Sequence, residues 1–145
     1  MSRPIYENDE TMADEAEVID QVAARWKAGW TKLPRSYRAD YALSREGKIV
    51  AWVEVKCRSN SREQYPTYML SLGKEMALLD LARHTGCPAI LVVRWTDQMG
   101  YVTLPVEGAH VMMGGRKDRG DSADIEPTIH IPTSAFKPMP YTKII

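Results

Sequence analysis

The alternation of apolar and polar residues predicts a β-strand over residues 48–56. β-Branched and aromatic side chains, which favour strands, dominate this segment. Because successive side chains of a strand point to opposite faces, Glu54 and Lys56 share a face with Trp52. Glu54 and Lys56 are therefore expected at the mouth of a core, where a charged group needs a partner or an ion. The other face is apolar and consists of Ile49, Ala51, Val53 and Val55.

Residues 37–43 are expected to form the partner strand, joined to residues 48–56 by the turn-rich segment 44–47. This arrangement predicts an antiparallel hairpin. With the turn centred near Glu46, Asp40 lies on the same face as Glu54, directly opposite it or one diagonal away, with Cβ atoms about 5–8 Å apart. A shift of one residue in register would move Asp40 to the opposite face.

The hairpin thus predicts a metal site. Two carboxylates this close repel each other unless a cation lies between them. Their oxygen atoms are ligands that suit Mg²⁺ or Mn²⁺. Lys56 can then orient a water molecule or stabilise developing negative charge. The alternative is a surface hairpin with an ordinary ion pair, because Glu-x-Lys is common on strands.

Residues 10–30 are expected to form an amphipathic helix that begins at Asn8, Asp9 or Thr11 as a cap. Glu15 falls inside its apolar arc, whereas Glu17 and Asp20 fall outside it. A carboxylate on a buried stripe is costly unless it serves a site; alternatively, Glu15 lies at the edge of the arc and reaches water. The apolar arc consists of Met12, Ala16, Val18, Ile19, Val22, Ala23, Trp26 and Trp30.

A second helix is expected over residues 67–85, and its apolar arc also contains polar residues. Ser71 and Lys74 lie within this arc, and a structural role is favoured for Ser71. A lysine on an apolar stripe usually runs its stem along the core and presents its amine at the edge. For Lys74 that edge is either the carboxylate cluster or a bound phosphate, and a purely structural role is equally compatible. The arc consists of Leu70, Ala77, Leu78, Leu81 and Ala82.

The remaining segments complete an α/β domain with a central mixed β-sheet flanked by helices. Residues 89–95 form a continuous apolar run, typical of a central strand that is covered on both faces. Residues 59–66 are expected to form a loop over the active site, residues 97–100 a turn, and residues 101–104 and 126–131 further strands, the latter being the last. The charged, glycine-rich segment 114–121 is interpreted as a mobile loop that is a candidate for DNA contact.

Composition sets limits on the function. The chain of 145 residues fits a single domain, 1–145, and its net charge of zero gives no global basic field for nucleic acid. The local distribution of charge, in contrast, favours nucleic-acid binding. Basic residues flank the acidic pair, as contacts to a phosphate backbone require. They are Lys27, Lys32, Arg35, Arg38, Arg58 and Arg62.

The cysteines and the apolar segments indicate a location. Cys57 and Cys87 form no CxxC motif and are expected to be reduced thiols of a cytoplasmic protein. His84 and Cys87 are spaced like half of a zinc site, but the sequence has no second half. The sequence contains no run of about 20 apolar residues and therefore predicts no membrane span.

The order of these elements resembles the PD-(D/E)XK nuclease superfamily, in particular its archaeal Holliday-junction resolvase branch and small phage nucleases. The resemblance covers about residues 12–95, within a core of about 12–105 that precedes a C-terminal extension, 106–145. It rests on a helix with Glu15, a strand with Asp40, the Glu54-Val55-Lys56 strand, a helix and the strand 89–95. Ala39, rather than the proline of the family motif, precedes Asp40, and many members lack that proline.

The resemblance implies a restriction-endonuclease-like fold with an αβββαβ core and roles for specific residues. Asp40, Glu54 and the carbonyl of Val55 would bind Mg²⁺ or Mn²⁺, Lys56 would serve the attacking water, and Glu15 would complete the metal shell. Arg38, Arg58, Arg62 and Lys74 are the expected DNA contacts. Junction-cleaving relatives act as dimers, so a homodimer is one option by analogy.

The function expected from these observations is a metal-dependent deoxyribonuclease, endo- or exo-acting, in a bacterial or phage-infected cell. Structure-specific cleavage of branched DNA is one form of it. The alternatives are a catalytically silent nucleic-acid-binding or assembly protein on the same fold, and an unrelated small α/β domain with surface ion pairs.

Overall fold

The computed structural model describes residues 9–115 and 125–141. A six-stranded mixed sheet has the order β1-β2-β3-β5-β6-β9, and a three-stranded sheet has the order β4-β8-β7. Two α-helices accompany them in this part of the chain. The elements are α1 (Asp9–Arg25), β1 (Gly29–Lys32), β2 (Tyr41–Arg45), β3 (Lys48–Cys57), β4 (Thr67–Ser71), α2 (Leu72–Thr85), β5 (Ala89–Arg94), β6 (Met99–Thr103), β7 (His110–Gly115), β8 (Ile125–Pro132) and β9 (Lys137–Met139).

The β2–β3 hairpin confirms the predicted antiparallel pairing, but β2 spans Tyr41–Arg45 rather than residues 37–43, so the predicted turn was too long. Glu46 and Gly47 form its turn with φ values of 51° and 77°, the positive values that a tight two-residue hairpin turn requires. The register shifts between Leu43 and Ser44, since Ser44 pairs with Ile49 whereas Leu43 pairs with Ala51. This bulge advances the pairing by one residue, so that Tyr41 faces Val53 and Asp40, just before the strand, lies level with Glu54.

The two central strands, β3 and β5, are parallel neighbours. The apolar run of β5 is buried from Ala89 to Val93, as predicted for a strand covered on both faces. Helix α1 covers the sheet face that bears Val53 and Val55. Helix α2 and the small sheet cover the face that bears Trp52. Glu54, Lys56 and Arg58 alternate onto this second face.

The first helix ends earlier than predicted. It stops at Arg25, and Trp30 belongs to β1 instead. Lys27 takes a positive φ of 54°, while the backbone N–H groups of Lys27 and Ala28 donate to the carbonyls of Ala24 and Ala23. These hydrogen bonds form a Schellman-type C-cap, which terminates a helix irrespective of the apolar spacing beyond it. The proposed caps Asp9 and Thr11 lie inside the helix, and Asn8 lies outside the described residues.

The predicted helix over residues 67–85 is two elements. Thr67–Ser71 is strand β4, in which Tyr68 and Leu70 are buried and Met69 is exposed, the period-2 pattern of a strand. Pairing with β8 stabilises this conformation. The helix begins at Leu72, because the Ser71 side chain caps it by accepting a hydrogen bond from the Lys74 backbone N–H at 3.3 Å.

The C-terminal part of the described chain joins both sheets. Strand β8 pairs with β4 and β7, and it is not the last strand, because β9 extends the main sheet beside β6. Met99 and Gly100 belong to β6 rather than to the predicted turn. Within the predicted loop 114–121, Gly114 and Gly115 end β7, and residues 116–121 lie outside the described residues. None of the described helices combines the length and apolar character that crossing a membrane needs.

Candidate active site

The β2–β3 hairpin holds the two predicted acids together. Asp40 lies at the entrance to β2, where its carbonyl accepts a hydrogen bond from the backbone N–H of Leu33 at 2.9 Å. Its Oδ2 atom accepts a hydrogen bond from the backbone N–H of Val55 at 3.1 Å. Glu54, the neighbour of Val55, is only 1% exposed in the middle of the sheet. The Asp40 carboxylate is therefore fixed beside the segment that carries Glu54.

Two lysines from different elements converge on Glu54. Nζ of Lys56 lies 3.3 Å from Oε2 of Glu54, and Nζ of Lys74 lies 3.2 Å from Oε1. Lys56 comes from the same strand, whereas Lys74 comes from the first turn of α2. Both lysine side chains are about one third exposed, at 35% and 28%. Of the two edges considered for the Lys74 amine, the structure places it at the carboxylate cluster.

The electrostatics of this cluster favour an added positive charge. Burial raises the pKa of Glu54, and the negative charge of Asp40 raises it further, against the opposing effect of the two lysines. Burial lowers the pKa of Lys56, but the charges of Glu54, Tyr68 and Asp40 outweigh burial and raise it overall. Lys56 is therefore an ammonium group, and the buried acid pair retains unfavourable interactions that a cation would relieve.

Two buried polar residues were not predicted from the sequence. The buried Tyr68 hydroxyl accepts a hydrogen bond from Nη2 of Arg58 at 2.6 Å, and burial raises the pKa of Tyr68. Period-2 alternation in the segment Thr67–Ser71 would have pointed Tyr68 inward, had that segment been read as a strand. Glu75 is buried in the first turn of α2, and burial raises its pKa.

Glu15 is buried as predicted, at 6% exposure, but its surroundings differ from those of the cluster. Burial raises the pKa of the Cys57 thiol to about 11, and the charge of Glu15 contributes to that rise. Cys57 packs with the core on the α1 side of the sheet, opposite to the face of Lys56. The structure thus brings together Asp40, Glu54, Lys56 and Lys74, and does not bring Glu15 into that group.

The predicted DNA-contacting arginines have different environments. Arg38 is 54% exposed and forms an ion pair with Asp80 of α2. Arg62 donates hydrogen bonds to Gln98 and to the carbonyls of Thr133 and Phe136, so it ties the loop after β3 to the C-terminal segment. These bonds occupy much of the hydrogen-bonding capacity of the Arg62 guanidinium group.

The sequence matches a nuclease family over nearly all of its length. The family model described as "Phage putative PDDEXK endonuclease" matches residues 1–139. This chain belongs to the phage PDDEXK endonuclease family. The predicted resemblance to PD-(D/E)XK nucleases is confirmed by this match. Among proteins with curated descriptions, none matches the sequence.

Solved structures show that this phage PDDEXK protein has the predicted restriction-endonuclease-like fold. A Holliday junction resolvase from the archaeal hyperthermophile Archaeoglobus fulgidus aligns with a TM-score of 0.52 and 15% identity, over 81% of this chain and 89% of the resolvase. A nuclease from a fusselovirus aligns with a TM-score of 0.52 and 13% identity, over 94% of this chain and 90% of the nuclease. At such identities the likeness concerns the fold.

The donor atoms of this PDDEXK site fit a hard divalent cation. The described residues hold no group of three or more His, Cys, Asp or Glu side chains arranged for a metal. Mg²⁺ does not need such a cage, because it is usually held by one or two carboxylates, with water and substrate phosphate as further ligands. Asp40 and Glu54 supply two carboxylates. Burial raises the pKa of Glu54, and the negative charge of Asp40 raises it further, so a bound cation would stabilise the ionised pair.

Proposed function

We propose that this PDDEXK protein is a metal-dependent deoxyribonuclease that hydrolyses phosphodiester bonds at the cluster of Asp40, Glu54, Lys56 and Lys74. The observation that carries the proposal is the position of Glu54, buried at 1% exposure beside Asp40 and faced by two ammonium groups at 3.2 and 3.3 Å. Burying such a carboxylate is costly for a fold. Its retention is typical of a catalytic site, where pKa values are perturbed by burial and by like charges.

Asp40, Glu54 and the carbonyl of Val55 would hold Mg²⁺ or Mn²⁺, which supplies Lewis-acid polarisation of the phosphate and lowers the pKa of bound water. Lys56, fixed by Glu54 and only one third exposed, orients the attacking water and stabilises the negative charge that develops on the phosphate. Lys74 approaches from α2 and supplies a second positive charge to the same region. Glu15 stays a predicted contributor to the metal shell on the strength of the family resemblance.

Charge balance supports phosphate as the ligand. In the metal-free site two carboxylates face two ammonium groups, so little net charge remains to attract an anion. A divalent cation would add two positive charges to the site, and a phosphodiester, with one negative charge, would offset half of that excess. Arg58 next to the cluster and the exposed Arg38 extend this positive region along a DNA backbone.

The test is cleavage of DNA by the purified chain in Mg²⁺, in Mn²⁺ and in EDTA. Supercoiled plasmid, a labelled four-way junction, a linear duplex and an RNA of the same sequence separate endo- from exonuclease action and DNA from RNA. We expect cleavage of DNA only with metal, and a loss of 100-fold or more in Glu54→Gln, the scale of a lost charge-stabilising group. Glu107→Gln, a change at an exposed glutamate, is the matched control and should cleave like the wild type.

Two results would contradict the proposal. Cleavage that persists in EDTA would refute the metal dependence. Equal cleavage rates for Glu54→Gln and Glu107→Gln would show that Glu54 is not part of the active site. Binding of DNA without cleavage under every condition would instead favour a catalytically silent nucleic-acid-binding protein. The proposal includes the cytoplasm of a phage-infected bacterial cell as its location and a homodimer by analogy with junction-cleaving enzymes; sedimentation of the chain with and without junction DNA tests the latter.

A further inference from the structure

A cavity of about 370 Å³ lies beside Arg58, which directly follows β3. Its wall is formed by the loop after β3, strand β4, Trp95 after β5 and part of β8. This volume lies in the range of pockets that bind small organic groups. The residues of its lining that carry the argument are Arg58, Asn60, Tyr65, Tyr68, Trp95 and His130.

Arg58 and Tyr68 connect the cavity to the catalytic cluster. Lys56 and Arg58 point to the same face of β3, two residues and therefore roughly 7 Å apart. Arg58 donates a hydrogen bond to the Tyr68 hydroxyl at 2.6 Å, and both residues line the cavity. A DNA strand whose phosphate lies at Lys56 would thus present its neighbouring nucleotide at the opening of the cavity.

The chemistry of the wall suits a nucleobase with its phosphate. Tyr65 presents its ring at the rim with 55% exposure, and the guanidinium planes of Arg58 and Arg62 lie over the rings of Tyr68 and Trp95. Unpaired bases are held by stacking on such aromatic and guanidinium planes and by hydrogen bonds to their edges.

Polar side chains also line the cavity and supply hydrogen-bonding groups. Asn60, Thr67 and His130 line the cavity, and the two ring nitrogens of His130 lie 3.0 and 3.3 Å from threonine hydroxyls. None of the described residues that line the cavity is acidic. This composition favours an anionic ligand over a cation.

We propose that the cavity binds an unpaired nucleotide adjacent to the scissile phosphate, so that the substrates are DNAs with an unpaired nucleotide at the cutting position. This inference rests on the proposed nuclease function and specifies its substrate class. An intact duplex would have to unstack and extrude a base, and the free-energy cost of doing so is smallest where the base is already unpaired. Flaps, bulges and branch points offer such a base.

The test measures binding without cleavage. A fully paired duplex is compared with the same duplex carrying one unpaired 2-aminopurine nucleotide, by fluorescence anisotropy in EDTA and again in Ca²⁺. The wild type should bind the second DNA more tightly and quench its 2-aminopurine by stacking. Tyr65→Ala should lose about 5- to 150-fold of that affinity, the effect of removing one base–aromatic stack, together with the quenching.

Matched variants separate stacking from folding. Tyr65→Phe keeps the ring and should behave like the wild type, whereas Tyr37→Ala removes a tyrosine of similar exposure, 45%, that does not line the cavity. Tyr37→Ala should keep both the preference and the quenching. If Tyr65→Ala and Tyr37→Ala bind the two DNAs alike, or if the wild type shows no preference, the inference is overturned.

The outcomes also distinguish this inference from the proposed function. One outcome is that the preference for the unpaired nucleotide and the quenching depend on Tyr65, but no DNA is cleaved in Mg²⁺ or Mn²⁺. This outcome would support nucleotide binding in the cavity and refute the nuclease function. Metal-dependent cleavage at equal rates on paired and unpaired DNA would support the nuclease and refute the cavity. Free deoxyadenosine monophosphate that competes as well as the unpaired oligonucleotide would assign the cavity to free nucleotides and overturn the inference.

Discussion

Replacing Lys74 by methionine tests whether an ion pair links α2 to strand β3. The substitution keeps most of the apolar stem and removes the ammonium group that lies 3.2 Å from Oε1 of Glu54. Removing one partner of a fully buried ion pair costs about 3–5 kcal/mol, because the other charge is left buried. Lys74 is 28% exposed, and Lys56 still faces the other oxygen of Glu54. The cost should therefore be smaller than for a fully buried pair.

We expect Lys74→Met to lower the free energy of unfolding by about 1.5–2 kcal/mol, the lower part of the range for a hydrogen bond to a charged group. For a chain of this length that corresponds to a Tm about 6–8 °C lower. The measurement is thermal and urea denaturation in EDTA at neutral pH. Lys48→Met, at an exposed position on the same strand as Glu54, is the control and should change stability by less than about 0.5 kcal/mol.

The double variant Lys74→Met/Glu54→Gln makes the prediction specific. Once Glu54 is neutral, the missing ammonium group no longer leaves a buried charge. The double variant should therefore be about 1 kcal/mol more stable than the sum of the two single effects, a coupling typical of residues in contact. The reasoning is refuted if Lys74→Met melts together with Lys48→Met, or if the effects of the two substitutions simply add. Either result would mean that Lys74 and Glu54 do not interact in solution.

Four further predictions concern the metal, the lysine, the first helix and the buried thiol. Calorimetry should detect Mn²⁺ binding to the wild type and a large loss in Asp40→Ala; equal affinities would remove Asp40 from the metal site. Lys56→Ala should keep the Mn²⁺ affinity but lose about 100-fold of the cleavage rate, because it acts on the transition state; wild-type rates would exclude that role. If Glu15 contributes to the metal shell as the family resemblance implies, Glu15→Gln should lower cleavage at unchanged Tm while Glu17→Gln, at a half-exposed position, is silent; the reverse would mean that the predicted helical phase is wrong. Cys57 should react with iodoacetamide about 100-fold more slowly than a free peptide thiol at pH 8, because its pKa is raised from 9.0 to about 11; mass spectrometry of the labelled peptide would show an equal rate if the thiol were exposed.

The sequence by itself determined the elements whose signals are local. The period-2 pattern of β3 placed Glu54 and Lys56 on one face, and the unbroken apolar run 89–93 identified the central strand β5. The helical spacing of α2 also placed the Lys74 amine at the edge of an apolar stripe, where the structure has it next to Glu54. These features follow from side-chain direction within one strand or one helix, which neighbouring residues set.

The boundaries of the helices depended on contacts that sequence periodicity does not contain. Residues 67–71 have apolar positions compatible with a helix, but pairing with β8, some sixty residues later in the chain, makes them a strand. The C-cap at Lys27 likewise ends α1 although apolar spacing continues to Trp30. Tertiary pairing and capping hydrogen bonds outweigh propensities, which differ by only about 1 kcal/mol per residue.

The assembly of the cluster of Asp40, Glu54, Lys56 and Lys74 depends on features that appear only in the tertiary structure. A regular ladder from the Glu46-Gly47 turn would set Asp40 opposite Val53, on the wrong face, and the bulge after Leu43 is what moves Asp40 level with Glu54. A bulge inserts one unpaired residue and reverses the facing of every residue beyond it. Its position depends on how both strands pack against the sheet. The helical phase of α1 likewise could not show on which side of the sheet Glu15 lies, because that depends on where α1 docks.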